Sequence, residues 1–362
     1  MILSNKVRLK PTKDQESQLW KSSGTARFIY NWSLGRQEVN YKDGGKFISD
    51  NNLRKELTQL KKTEDFKWLF EVSNNVAKQA CKDACNAYKT FFKNGKGKPK
   101  FKAKSRTTPA FYNDNVKFKV KEMSVLIEKV GWVVTAEQLP IVDKYSNPRI
   151  TFDGKYWYVS VGVEVATAPV ELTGEVLGID VGVKDLAICS DGVVYKNINK
   201  QKVLTKLYKR LKMLQRKLSK KSKTSNNFQK MKYRVKMLHR RIKNIRNNYL
   251  HQTTTELVKT KPAKIVVEDL DVRGMMKNKY LADAIAKQSF FEFFRQLSYK
   301  CELYGIEFVK ANRWFPSSKT CNHCKKVKKD LKLSDRVYKC TCGYVADRDM
   351  NAAFNLRDYV PL

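Results

Sequence analysis

Val176–Gly192, VLGIDVGVKDLAICSDG, is the stretch whose reading decides the fold. Val176, Leu177 and Ile179 form a short apolar strand that ends on Asp180, and Gly182 follows where the backbone needs freedom from a Cβ. Val183 to Ser190 reads as a second strand paired with the first, closing at the turn signal Asp191-Gly192. One carboxylate therefore stands on an apolar strand beside a hairpin. Burying it costs several kcal/mol, roughly, unless it is paired or metal-bound. The alternative is an Asp that merely caps a strand end.

Two later segments bear on that choice. AKIVVEDL, Ala263 to Leu270, is another buried-type strand, and it ends on Glu268. DRDMNAAFNL, Asp347 to Leu356, places Asp349 at the opening of a helix whose first turn is completed by Asn351 and Ala352. Acids at two strand ends and one helix start suit a two-metal phosphodiester hydrolase, in which carboxylates hold Mg²⁺ ions about 3.5–4 Å apart. In this order they resemble the catalytic core of RuvC-type nucleases with the RNase H fold.

The chain has 362 residues and 42% hydrophobic content, enough for more than one core. Lys and Arg number 73 against 35 Asp and Glu, a net charge of +38 that calls for a polyanionic partner. Nucleic acid is the expected partner and an anionic membrane surface the alternative. The N-terminus lacks a long apolar signal region, and no apolar run reaches the roughly 18 residues of a membrane span. A cytoplasmic location is expected.

Of eight cysteines, Cys81 and Cys85 fall one helical turn apart, and Cys189 and Cys301 stand alone in apolar context; all four read as reduced core thiols. Cys321, Cys324, Cys340 and Cys342 form two close pairs fifteen residues apart, the pattern of a zinc ribbon. The second pair has one intervening residue where ribbons have two, which leaves His323 open as a substitute ligand.

At the N-terminus, Ile2, Val7 and Leu9 suit an edge strand, with Pro11 and Thr12 marking its end and a helix start. Asp14 to about Phe92 is helical, broken at the loop YKDGGKFIS, and Ser73 is the N-cap of its last helix. Asn75, Lys78, Gln79 and Lys82 fall on that helix's polar side. They could read base edges and phosphates, or be simply solvated. Lys93 to Arg106 is a basic loop without acids, including Lys96 and Lys98, that reads as a phosphate-binding segment. Strands follow, with turns at Pro148 and at Asp153-Gly154, and suggest a small β-barrel or sandwich completed by the N-terminal strand. The helices are then an insertion in it. Residues 169–174 read as a linker.

From Gly192 to Thr255 there is no Asp or Glu. Leu204, Leu207, Leu211, Leu214 and Leu218 form one stripe, and Met231, Val235, Leu238, Ile242, Ile245 and Tyr249 another. They predict an antiparallel helical hairpin whose turn, SKKSKTSNN, carries Lys220, Lys221 and Lys223. Its basic exterior should track a nucleic-acid backbone without sequence preference. Phe290, Phe293, Phe294 and Leu297 make one more inward helix face, and a strand follows at Glu307 to Lys310.

GIDVGVKDLA, VVEDL, RWFPSSKTCNHC and CGYVADRDMNAAFNL, with KVRLKPTKDQESQLW and FIYNW upstream, resemble the TnpB family of bacterial insertion sequences, related to type V CRISPR effectors. The resemblance spans nearly the whole chain. It implies an α/β multidomain protein: a wedge-like β-barrel (1–13 and 107–170), a helical recognition region (14–106), an RNase H-like RuvC nuclease core (171–316 and 345–362, with a basic hairpin at 199–250) and a zinc ribbon (317–344). It implies an RNA-guided DNA endonuclease, with a guide RNA from the transposon end, a double-stranded DNA target licensed by a short adjacent motif, and a nucleoid-associated setting. By motif, the catalytic Mg²⁺ ligands are Asp180, Glu268 and Asp349. Asp347 is the nearest competitor; Asp349 lies two residues before the Asn of NAA, as the family's acid does. The rival readings are a nuclease-inactive repressor guided by RNA, a DNA transposase, and a ribosome-like ribbon protein without catalysis.

Overall fold

The computed structural model describes residues 1–95, 97–166, 170–332 and 335–360. The chain divides into two compact units, Met1–Val165 and Ala166–Leu362.

The first unit opens with β1 (Ile2–Lys10), followed by α1 (Lys13–Lys42), α2 (Asp50–Leu60) and α3 (Asn74–Asn94). Thr12 caps α1 through a reciprocal capping box with Gln15, and the Ser73 hydroxyl caps α3 by accepting from the Asn75 N–H. The helices share a core of Ile29, Leu53, Leu57, Leu69, Ala77 and Ala80, where Cys81 and Cys85 are buried free thiols. Six short strands follow: β2 (Ala110–Tyr112), β3 (Lys119–Lys121), β4 (Ser124–Ile127), β5 (Gly131–Thr135), β6 (Ser146–Phe152) and β7 (Trp157–Glu164). The seven form one sheet in the order β2-β6-β7-β1-β5-β4-β3, so the helices are an excursion between its first strand and the rest.

Two expectations change here. β1 is not an edge strand: it pairs with β7 along residues 2–8 and with β5 at Leu9 and Lys10. Its outward Lys6 and Arg8 lie over the rings of Tyr158 and Tyr156, so charged residues sit at the middle of the sheet without losing favourable contacts. Pro148 is not a turn. It lies within β6, at the register shift between Ser146 and Arg149 where a missing N–H is tolerated. The turn at Asp153-Gly154 forms, with Gly154 at φ 103°. Inward residues from both ends of the sheet, including Val7, Ile127, Ile150, Trp157 and Val159, make a single core.

The second unit contains β8 (Thr173–Val181), β9 (Asp185–Cys189), β10 (Val194–Lys196), α4 (Lys202–Ser219), α5 (Asn226–Lys259), β11 (Pro262–Glu268), α6 (Val272–Met275), α7 (Ala282–Gln288), α8 (Phe290–Tyr304), β12 (Glu307–Ala311), β13 (Val337–Lys339), β14 (Val345–Asp347) and α9 (Arg348–Arg357). Of the expected linker, residue 169 lies outside the described residues, and Thr173 and Gly174 already belong to β8. A five-stranded sheet runs β10-β9-β8-β11-β12, with β8, β11 and β12 parallel and the first two strands antiparallel. Parallel strands need both faces covered. Leu177, Ile179, Ile265 and Val267 pack under Leu250 and Leu257 of α5 and Phe290, Phe293 and Leu297 of α8. The other face receives α9, whose Leu356 joins Val266 and Ala311. Gly178 makes that approach possible: a Cβ there would lie 2.1 Å from the Ala353 carbonyl oxygen and 2.3 Å from the Arg357 nitrogen. The α4–α5 hairpin closes on Leu204, Leu207, Leu211, Val235, Leu238 and Ile242, with Leu214, Leu218 and Ile245 partly buried beside them.

Candidate functional site

The parallel register fixes two of the three acids. Val267 of β11 stands opposite Ile179 of β8, and Asp180 and Glu268 are the next residues of the two strands. The third comes from α9, which lies across Gly178 and so carries its N-terminus to the same end of the sheet. Asp347 is the N-cap of α9, its Oδ1 accepting from the N–H groups of Asp349 (2.9 Å) and Met350 (3.1 Å). Asp349 therefore occupies the first turn with its carboxylate free of capping.

All three acidic residues are partly buried. Burial, then the charges of Glu268 and Asp349, push the Asp180 carboxyl well above its ordinary range. Burial also raises Glu268, opposed by a hydrogen bond from the Ser317 hydroxyl. Asp349 is met by cations: Arg348 Nη2 at 2.7 Å and Arg336 Nη1 at 3.7 Å. Three hard oxygen donors, with the Asp180 carboxyl raised by the charges of the other two, form a donor set suited to Mg²⁺, whose positive charge would relieve that repulsion. The carboxylates feel one another's charge but are less tightly grouped than the cysteines, the group among the described residues whose ligand atoms all lie within 4.8 Å of one another.

The cysteine set is Cys321, Cys324, Cys340 and Cys342. Cys321 and Cys342 Sγ are 3.7 Å apart, and Cys324 and Cys340 Sγ 3.5 Å. A tetrahedron with Zn–S bonds of about 2.3 Å has edges of about 3.8 Å, so these thiols can hold zinc. The short second pair reaches because Gly343, at φ 88°, turns the chain back toward Cys340. His323 is not in the set; its ring stacks against Tyr344. The ribbon is tied to α9 by two buried side chains, Asn351, which the sequence marked only as a helix position, and Asn355, which it did not single out. Asn351 Nδ2 donates to the Thr320 carbonyl oxygen at 2.8 Å, and Asn355 Nδ2 to those of Ser317 and Thr320 at 2.8 and 2.7 Å. Ser317, Arg336 and Arg348 were equally missed. The signal for Arg348 was its place between two acids; Ser317 had none.

Lys78 and Lys82 are exposed on α3, while Asn75 Nδ2 donates to Glu128 (3.0 Å) and Gln79 Nε2 to Asp83 (2.7 Å), so both amides already have partners inside the first unit. Asp83 in turn holds Arg149 in a two-pronged ion pair. Lys98 pairs with Glu38 at 3.2 Å, and Lys96 lies outside the described residues. Lys220 ends α4, and Lys221 and Lys223 occupy the hairpin turn, Lys220 and Lys223 exposed. Among the described residues no helix is long and apolar enough to cross a membrane.

Residues 158–279 match a family model described as "Probable transposase" and residues 290–356 one described as "Cas12f1-like, TNB domain". Residues 1–46 match one described as "Helix-turn-helix domain", although here they form β1 and the single long α1. InsQ of Escherichia coli (strain K12), provisionally named an RNA-guided DNA endonuclease, is 32% identical over 368 residues, covering 97% of this chain and 90% of its own. A Streptomyces pristinaespiralis protein with the same provisional designation is 34% identical over 363 residues, covering 97% and 87%. The fold resembles that of a chain in the cryo-EM structure of a Cas12f1-sgRNA-target DNA complex, with TM-score 0.60 and 16% identity over 95% of this chain and 82% of the other. With relatives this similar along nearly their whole length, and with its motifs in the family's order, the chain belongs to the TnpB family of transposon-encoded proteins.

Proposed function

We propose that the protein is an RNA-guided DNA endonuclease that hydrolyses target DNA beside a short adjacent motif. The observation that carries this is the convergence of Asp180, Glu268 and Asp349, from two parallel strands and a helix start, at one end of the second sheet. On this reading residues 171–316 and 345–362 are a RuvC-like core and 317–344 a zinc ribbon. The seven-stranded sheet of residues 1–13 and 107–170 is the wedge, with 14–106 as recognition helices. Pairing between a guide RNA from the transposon end and the target strand supplies sequence specificity, while the protein reads the flanking motif and the shape of the hybrid.

Asp180, Glu268 and Asp349 would hold the Mg²⁺ ions. When bound, such ions supply a nucleophilic water at neutral pH and charge relief at the departing oxygen. The chain's own groups do the positioning. The Ser317 hydroxyl fixes the Glu268 carboxylate, and the strand register keeps Asp180 beside it. Arg348 and Arg336 pair with Asp349 and place two cations beside the carboxylates, where they could meet a phosphate. The exterior of α4 and of α5 as far as Thr255 carries no acid and offers the backbone of a nucleic acid a continuous cationic surface.

The test uses the full chain with its copurified RNA, which is sequenced to define the guide. Asp180→Ala and Glu268→Ala are expected to abolish cutting of a matched DNA in Mg²⁺ while RNA and DNA binding persist; Mg²⁺-dependent cutting by either variant overturns the assignment. The description "Probable transposase" favours a second reading, DNA joining. Joined products from marked transposon ends in a strand-transfer assay would establish it.

A further inference from the structure

The chain leaves β12 at Ala311, level with Glu268, and returns to that carboxylate at Ser317. The turn between is braced throughout. The Asn312 N–H donates to the Tyr359 hydroxyl at 3.0 Å, and the Trp314 N–H to Asn312 Oδ1 at 2.9 Å. Arg313 Nη2 pairs with Asp269 at 2.6 Å, next to Glu268. Phe315 turns inward, edge-on to Tyr359 with centroids 4.9 Å apart. Trp314 turns outward and is 85% exposed; among the described residues its ring makes no stacking or cation contact.

An exposed apolar residue alone carries no message. Here the largest side chain in the code is held out from a backbone pinned by these contacts, which lowers the entropy cost of ordering its ring on a ligand. Three residue steps separate Trp314 from Ser317, which limits their Cα separation to roughly 11 Å. That is the axial length of about three stacked nucleotides. The ligand class follows from the surroundings: a cationic chain, an adjacent guanidinium, and carboxylates suited to metal-assisted hydrolysis of a phosphodiester.

We infer that Trp314 is a stacking platform for a nucleobase of the single DNA strand held at the carboxylates; this rests on the function proposed above. An indole face accepts any base, so the contact is indifferent to sequence. Its role is to set which phosphate faces Asp180, Glu268 and Asp349.

The test is a set of single-stranded DNA oligonucleotides carrying 2-aminopurine at successive positions. Each is bound to the full chain with its RNA in Ca²⁺, and the quenching of the probe is read. Wild type and Trp314→Phe should quench at one position, measured from the scissile phosphate found in Mg²⁺. Trp314→Ala should lose that quenching, bind the oligonucleotide about 5- to 150-fold more weakly, and melt at the wild-type temperature. Unchanged quenching in Trp314→Ala overturns the inference, as does quenching by an RNA oligonucleotide alone. The two proposals fail separately. Quenching through Trp314 with DNA uncut in Mg²⁺ defeats the nuclease and leaves a single-strand site, whereas cutting with unaltered quenching in Trp314→Ala defeats the platform alone.

Discussion

Two aspartates two residues apart divide their labour by geometry. Asp347 spends its carboxylate on the N–H groups of Asp349 and Met350, and Asp349 meets Arg348 and Arg336. Asn substitutions isolate the charge, because Asn caps a helix about as well as Asp. Asp347→Asn should therefore cut DNA at close to the wild-type rate, whereas Asp349→Asn should not cut at all. Asp347→Ala should cost about 1 kcal/mol in denaturant unfolding, from the lost cap. A fully active Asp349→Asn would exclude it from the site. That these three candidate acids come to one end of the sheet could be expected from the sequence, where two close an apolar strand and one opens a helix. The family's motif pointed to Asp349 over Asp347, but spacing alone could not show that Asp347 caps α9, because it tells who is near a helix start and not which oxygen takes the N–H groups. The partners of Asn75 and Gln79 were hidden for a similar reason: Glu128 is on another element, and Asp83, although one helical turn from Gln79, is placed by Arg149.

Among the elements, helix starts were the most readable feature, since Thr12 and Ser73 cap by chemistry local to the sequence. The central position of β1 was not readable, since it depends on rings of β7 and its flanking turn, some 150 residues away, covering Lys6 and Arg8. The ribbon tests its own spacing. About one zinc per chain is expected by elemental analysis, and Cys342→Ser should lose it as readily as Cys321→Ser; retention of zinc by Cys342→Ser would leave three thiols and another ligand. α8 carries a pH signature. Hydrogen bonding from Arg295 holds the Glu292 carboxyl down at about 2, below its ordinary 4.5. A carboxyl whose folded pKa is depressed adds stability that is complete above the unfolded value, and it is lost as pH falls from about 4.5 toward about 2. Glu292→Gln should flatten that part of the acid-unfolding curve and leave the neutral range little changed.

For the molecule as a whole, the charge of +38 is concentrated where no acid offsets it. Affinity for nucleic acid should fall linearly with salt on logarithmic axes. If Lys220, Lys221 and Lys223 each meet a phosphate, replacing all three with Gln lowers the slope by about 2 to 3; an unchanged slope in a filter-binding titration would remove the hairpin turn from the interface. Composition points to this proposed partner class from the start. It could not reveal the tie between ribbon and sheet, because Asn351, Asn355 and Ser317 are ordinary polar residues until the fold brings them together. Asp347 is at once the last residue of β14 and the cap of α9. A zinc ion held by the four cysteines would thus be coupled through Asp347 to the turn of helix that presents Asp349, and chelating it should fray that helix start before any strand of the sheet comes apart.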